Sequence, residues 1–231
     1  MQPFRALISV FVLALVPLSS LAEESRQITV TGEGRVDAAP DMALITLGVT
    51  HQADAARDAM AATSDAVARI LTRLDQLGLA ARDVQTRRIT LNPVWANERY
   101  DSDKPPKIVG FTAANTVAIR VRALDQLGEV LDAVVADGAN TFNGLQFLIA
   151  DPDPLMDEAR KRAVADAMAR AALLAEAAGV TLGPVRSIDE HGGGGGPVMM
   201  EMAAARSGGV PIASGEVSLT ASVTMVFDIA D

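Results

Sequence analysis

Two histidines, His51 and His191, are the residues most able to do proton or metal chemistry near neutral pH. His51 stands close to Asp54 and Asp58, a set that could start a metal site or a carboxylate–histidine hydrolase. Zinc, however, needs at least three convergent ligands held by hydrogen-bonded neighbours. Local sequence supplies one histidine and two flexible carboxylates, so a structural or solvent role is expected for His51. His191 precedes the run Gly192 to Gly196, has no partner in sequence, and reads as a mobile position. Paired acids occur at Asp151/Asp153 and Asp157/Glu158. Glycoside hydrolysis would set two carboxylates across an aromatic cleft, and the chain has one tryptophan and one tyrosine, Trp95 and Tyr100. Helix capping accounts for these acids better.

No cysteine is present, so no thiolate nucleophile exists, and no Gly-x-Ser-x-Gly elbow marks a serine nucleophile. The glycine run is followed by Pro197-Val198-Met199, not by the Lys-Ser/Thr of a phosphate loop, and reads as a flexible surface linker. Gly32-Glu33-Gly34 lacks the third glycine and the following helix of a dinucleotide fingerprint. Met199, Met200 and Met202 form a local cluster that could be oxidised reversibly or adapt to a partner surface. Anchoring of a long loop is the favoured reading of that cluster. No catalytic, cofactor-binding or metal-binding residue is assigned, and no cofactor is expected.

The elements that would position any site are clearer. Ile28 to Val36 reads as a strand with a bulge or twist at Gly-Glu-Gly. Met42 to Thr50 is a second strand, with Ile45, Leu47 and Val49 on one face. A helix is expected over 53–77, where Met60, Thr63, Val67, Ile70, Leu74 and Leu77 recur at a 3-4-3-4-3 spacing and Gly78 closes the end. Strands at 84–95 and 108–121 flank a polar loop at 96–107, and a helix covers 124–136 with Leu124, Leu127, Leu131 and Val134 inward.

Gly138 and Asn140 suit a turn with positive φ, and a short strand at 145–150 follows. Asp153 is read as an N-cap and Pro154 as the first residue of a long helix. That helix carries Ala159, Ala163, Ala167, Ala171, Ala175 and Ala178 along one face and spans both halves of the fold. A short strand at 185–190 precedes the final one, 216–229, whose strict alternation from Val217 to Ile229 describes an antiparallel strand with one wet face. The repeat Leu74-Asp75-Gln76-Leu77-Gly78 and Leu124-Asp125-Gln126-Leu127-Gly128 ends one helix and begins another, so it reads as coincidence. The expected fold is α+β: a mixed, mostly antiparallel sheet packed by about three helices, with two strand–helix–strand halves (41–95 and 108–150) in one domain.

Four segments resemble the SIMPL-domain family of bacterial periplasmic proteins. They are 138–179 with its Asp151-Pro152-Asp153-Pro154 turn, Ile28-Thr29-Val30-Thr31-Gly32-Glu33-Gly34 with the Pro40-Asp41 and Leu47-Gly48-Val49 that follow, Leu77-Gly78-Leu79 with Asp83-Val84-Gln85-Thr86, and the tail from Met202 through Pro211-Ile212 and Gly215-Glu216. In order and spacing they cover almost everything after residue 27. The resemblance implies a ring-like or barrel-like homo-oligomer and a role in oxidative-stress tolerance. It supplies no catalytic residue.

The first residues read as an export signal: Arg5, an apolar stretch from Ala6 to Leu18, and a small-x-small site at Ser20-Leu21-Ala22. The expected organisation is a signal peptide at 1–22 and a SIMPL-like α+β domain at 23–231, with no membrane span once the leader is removed. The formal charge of −9, one unit more negative without Arg5, argues against non-specific binding to nucleic acid or anionic lipid. An aromatic content of 3% leaves little for stacking platforms. The expectation is a non-enzymatic binding or assembly protein of the periplasm, a homo-oligomer with an envelope protein as a further partner and at most peripheral outer-membrane contact. Loops 96–107 and 191–215 and the long last strand are its expected contact surfaces. The alternatives are a carboxylate/histidine hydrolase around His51 and a metal-binding stress protein.

Overall fold

The computed structural model describes residues 26–96, 106–191, 198–200 and 212–230, with backbone alone for 198–200. Residues 1–25, read above as containing an export signal, most of the 96–107 loop, the glycine run and Met202 lie outside these residues, as do the side chains of Met199 and Met200. In chain order the elements are β1 (Gln27–Ala38), β2 (Met42–Ala53), α1 (Ala56–Gln76), β3 (Val84–Trp95), β4 (Ile108–Val121), α2 (Leu127–Ala136) and β5 (Thr141–Leu148). There follow α3 (Asp153–Ala178), β6 (Thr181–His191), β7 (Val198–Met200) and β8 (Glu216–Ala230). Short 3-10 turns at Ala81–Asp83 and Leu124–Gln126 lead into β3 and α2.

The fold is α+β. One sheet has the order β3-β4-β2-β5; the other has β1-β8-β6, with β7 also paired to β8. Every described pairing is antiparallel. The two strand–helix–strand units are both present, and they interlock in a single sheet because β4 lies between β3 and β2. The second sheet is built from strands at the two ends of the chain.

Each sheet buries one face under helices. In the first, Ile45, Leu47 and Val49 of β2 and Val117, Ile119 and Val121 of β4 pack against Val67, Ile70 and Leu74 of α1 and Val130, Leu131 and Val134 of α2. Of the stripe read along α1, Thr63, Val67, Ile70 and Leu74 are buried, joined by Ala59 and Ala66, while Met60 and Leu77 are half-buried. Its end closes as a Schellman turn: Gly78 has φ 81°, its N–H donates to Asp75 O at 2.9 Å, and Leu79 N–H donates to Leu74 O at 3.0 Å.

The second core sets Val30, Val36, Ala221, Val223, Met225 and Phe227 against an alanine face of α3. Here Gly32 and Gly34 do not form a bulge, for β1 pairs with β8 without a register shift from residue 27 to 38. Both point at the helix, which passes so close that a Cβ on Gly32 would stand 2.2 Å from Ala163 O and one on Gly34 2.0 Å from Ala159 O. Two glycines on one strand and alanines at every fourth helical position are therefore two sides of one contact.

Four local expectations change. Asp153 is the first helical residue and Pro152 holds the cap position without a side-chain cap; Pro154 at the second position has no N–H for such a cap to satisfy. Asn140 does not take positive φ, whereas Gly138 does at 116°. The Asn140 amide instead clamps β2, accepting from Thr50 N–H and donating to Thr50 O, both at 2.8 Å. Ala178 is exposed beyond the packed face. Finally, α3 covers the second sheet alone and does not span both.

Candidate interaction surface

His51 lies within β2, opposite Ala113, on the face that α1 covers. Its Nδ1 is 3.4 Å from Thr63 Oγ1, which also donates to Ala59 O at 2.9 Å. A hydroxyl already donating to a helix carbonyl is not an activated nucleophile, and this contact orients the ring. His191 ends β6 opposite Ser222, with Nδ1 3.3 Å from Thr224 Oγ1, so it is held in a strand. Among the described residues no group of three or more His, Asp or Glu side chains could hold a metal ion. The acids at the start of α3 serve ion pairs: Asp157 with Arg160 at 2.9 Å and Glu158 with Arg162 at 3.2 Å. Inside the first core, Asn115 is buried between Val49 and Ile89, and its Oδ1 has no hydrogen-bond partner among the described residues.

The sheet edges differ sharply. The last strand, expected as a contact surface, is not an edge: β8 pairs with β1 on one side and with β6 and β7 on the other. The outer edge of β1 is closed by side chains of α3. Arg162 donates to Arg35 O at 2.8 Å, Glu33 N–H donates to Asp166 Oδ2 at 2.9 Å, and Arg170 donates to Thr31 O at 2.9 Å. Edge β6 is broken by register shifts around Val185 and carries Pro184.

Edges β3 and β5 of the first sheet have no such side-chain cover among the described residues, though β3 also carries Pro93 and two register shifts. Residues 88–92 of β3 form a regular stretch between bulges at Arg87 and near Trp95. Ile89 is 58% exposed and Trp95 53%, with Leu91, Ile108 and Val109 also exposed on the same hairpin. On the opposite edge Phe142 is exposed. Adjacent apolar side chains left in water at a bare strand edge make this the candidate contact surface among the described residues.

At the start of β3, Asp83 is 6% exposed and takes two bonds from Arg122, Nε to Oδ2 at 3.0 Å and Nη2 to Oδ1 at 2.8 Å. The guanidinium holds this carboxyl below the ordinary carboxylate range, against the opposing effect of burial. On the second sheet Asp37 is lowered likewise by hydrogen bonds from Ser218 and Arg35. A carboxylate with a depressed folded pKa adds stability above its unfolded value, and that stability is lost as pH falls through the folded one. Arg122→Gln is therefore expected to lower the urea midpoint at pH 7, with the gap to wild type closing towards pH 3 and below. A gap that stays constant down to pH 2 would remove this ion pair from the acid response.

The molecule is thus an α+β protein of two helix-backed antiparallel sheets, with two bare sheet edges and no assembled catalytic or metal centre among its described residues. The family model SIMPL, described as a protein of unknown function (DUF541), matches residues 28–227. The chain belongs to this family. It is 38% identical over 222 residues to the 26 kDa periplasmic immunogenic protein of Brucella melitensis, covering 91% of this chain and 88% of that protein. It is 30% identical over 185 residues to the uncharacterized protein YggE of Escherichia coli K12, covering 77% and 73%. No helix among the described residues is long and apolar enough to cross a membrane.

Proposed function

We propose that residues 23–231 form one periplasmic unit that assembles with copies of itself through the β3 edge and the apolar end of the β3–β4 hairpin. The carrying observation is the contrast between edges: α3 seals the backbone of β1, whereas β3 leaves Ile89 and Leu91 in water beside an unpaired edge. Among the described residues both ends of one sheet are bare, so β3 of one copy can meet β5 of the next. Such a head-to-tail contact closes into a ring or grows into a filament according to the rotation it imposes. The name of the Brucella relatives supports the periplasmic location. The assembly reading favours a binding or scaffold protein over an enzyme, and the family resemblance extends it to envelope tolerance of oxidative stress.

The test uses the chain from residue 23 in light scattering coupled to size exclusion. Wild type is expected at a multiple of the protomer mass, and Leu91→Lys at or near the protomer. Trp95 is the sole tryptophan, so its emission should shift to the blue as protein concentration rises through the assembly range. A protomer mass for wild type at every concentration would end this reading.

A further inference from the structure

We propose that a cleft on the helix-free face of the first sheet, lined by Arg82, Arg87 and Arg120, binds a small phosphate-bearing anion. The cleft lies where the 3-10 turn Ala81–Asp83 meets β3, β4 and β2, and its volume is about 380 Å³. That is at the small end of ligand sites. Gln85 adds an amide to the same wall. Arg87 occupies the bulge of β3, where Thr86 pairs with Val117 and Arg88 with Thr116, so the ladder passes it by. Arg120 stands further along β4, one residue beyond the Val84–Ile119 pair and opposite Leu44 of β2, and lines the same cleft.

The charge balance is what singles out this cleft. Its one carboxylate, Asp83, is engaged by both branches of the Arg122 fork. Arg82 lies 4.0 Å from that carboxylate and is 80% exposed, a loose contact. Neither Arg87 nor Arg120 has an ion-pair partner among the described residues. Three arginines therefore line one cleft whose single carboxylate is already paired, in a chain whose formal charge is −9. Planar guanidinium forks match the paired oxygens of a phosphate, and a charge-assisted bond of this kind is about twice as strong as a neutral one. The positive field is local, so it selects a small anion that enters the cleft and not a long polyanion. The same phosphate chemistry is offered by a free phosphate compound and by an anionic lipid headgroup.

Calorimetric titration of the chain from residue 23 with inorganic pyrophosphate at low ionic strength is the direct test. Binding is expected for wild type. Arg87→Gln combined with Arg120→Gln should weaken it at least tenfold, while Arg57→Gln, an exposed position on α1, should leave it unchanged. Thermal melts of the variants establish that each is folded. Flotation with phosphatidylglycerol vesicles, against phosphatidylcholine vesicles, separates the sources. Capture that the double variant loses assigns the cleft to a lipid headgroup, and pyrophosphate binding without capture assigns it to a free anion. Absence of both, or binding that the double variant retains in full, would overturn the proposal.

Discussion

Gly34→Val is expected to strip the second sheet of its helix. A Cβ at this position would stand 2.0 Å from Ala159 O and 2.5 Å from Ala163 N, both backbone atoms that no rotamer change can move aside. Either α3 lifts from β1 or the strand buckles. Lifting the helix breaks the contact of Ala159, Ala163, Ala167 and Ala171 together, since all four are fully buried. The expected cost is about 3 kcal/mol or more, the upper end for overpacking, or roughly 6–12 °C in Tm for a chain of this size. Gly128→Ala is the matched control, for nothing lies within 4 Å of its Cβ position. It replaces glycine at the second residue of α2, in the first turn, and should leave stability unchanged or raise it by up to about 0.5 kcal/mol. Thermal unfolding of the pair decides the matter. If Gly34→Val melts with wild type, helix and strand do not approach as described.

Ending the chain after residue 215 is expected to unfold the second core outright. β8 is the middle of that sheet, and Val217, Val223, Met225 and Phe227 are each at most 3% exposed. Burial of those four side chains contributes roughly 6–12 kcal/mol at 1.5–3 kcal/mol each, comparable with the whole stability of a domain. Without β8, strands β1 and β6 have no partner, because each pairs only with β8 among the described strands. Limited proteolysis should then cut within 27–38 and 153–191 and spare 42–148, whose core shares no residue with the second. Unchanged protection across 153–191 would contradict this. The truncation is therefore a stability experiment and cannot report on assembly.

The outcome for β8 shows where sequence reading stops. Its alternation from Val217 to Ile229 identifies a strand and its buried face correctly. Alternation carries no information on which strands flank it, and β1 lies some 190 positions away in sequence. The stripe of α1 and the Schellman turn at Gly78 were legible because their contacts fall within one or two helical turns. Gly32 and Gly34, read as a bulge or twist point, form no bulge, and their contact was out of reach because the partner helix is remote in sequence. A signal did exist: glycines at i and i+2 in a strand, matched to alanines every fourth residue in a helix. The exposed apolar edge was hardest to see. Ile89 and Leu91 alternate as buried residues do, and only the position of β3 at the sheet edge leaves them exposed. The arginine cleft joins three non-adjacent segments and has no local motif.

The chain contains no cysteine, which gives a direct test of head-to-tail assembly. Thr90→Cys on β3 and Gln146→Cys on β5 would be made singly and together in the chain from residue 23, and exposed to a short thiol-specific cross-linker. The account predicts a ladder of dimers, trimers and larger species from the double variant. Each single variant alone should yield at most traces. A double variant that stays a single band, or a single variant that cross-links fully to a dimer, would contradict assembly of β3 onto β5.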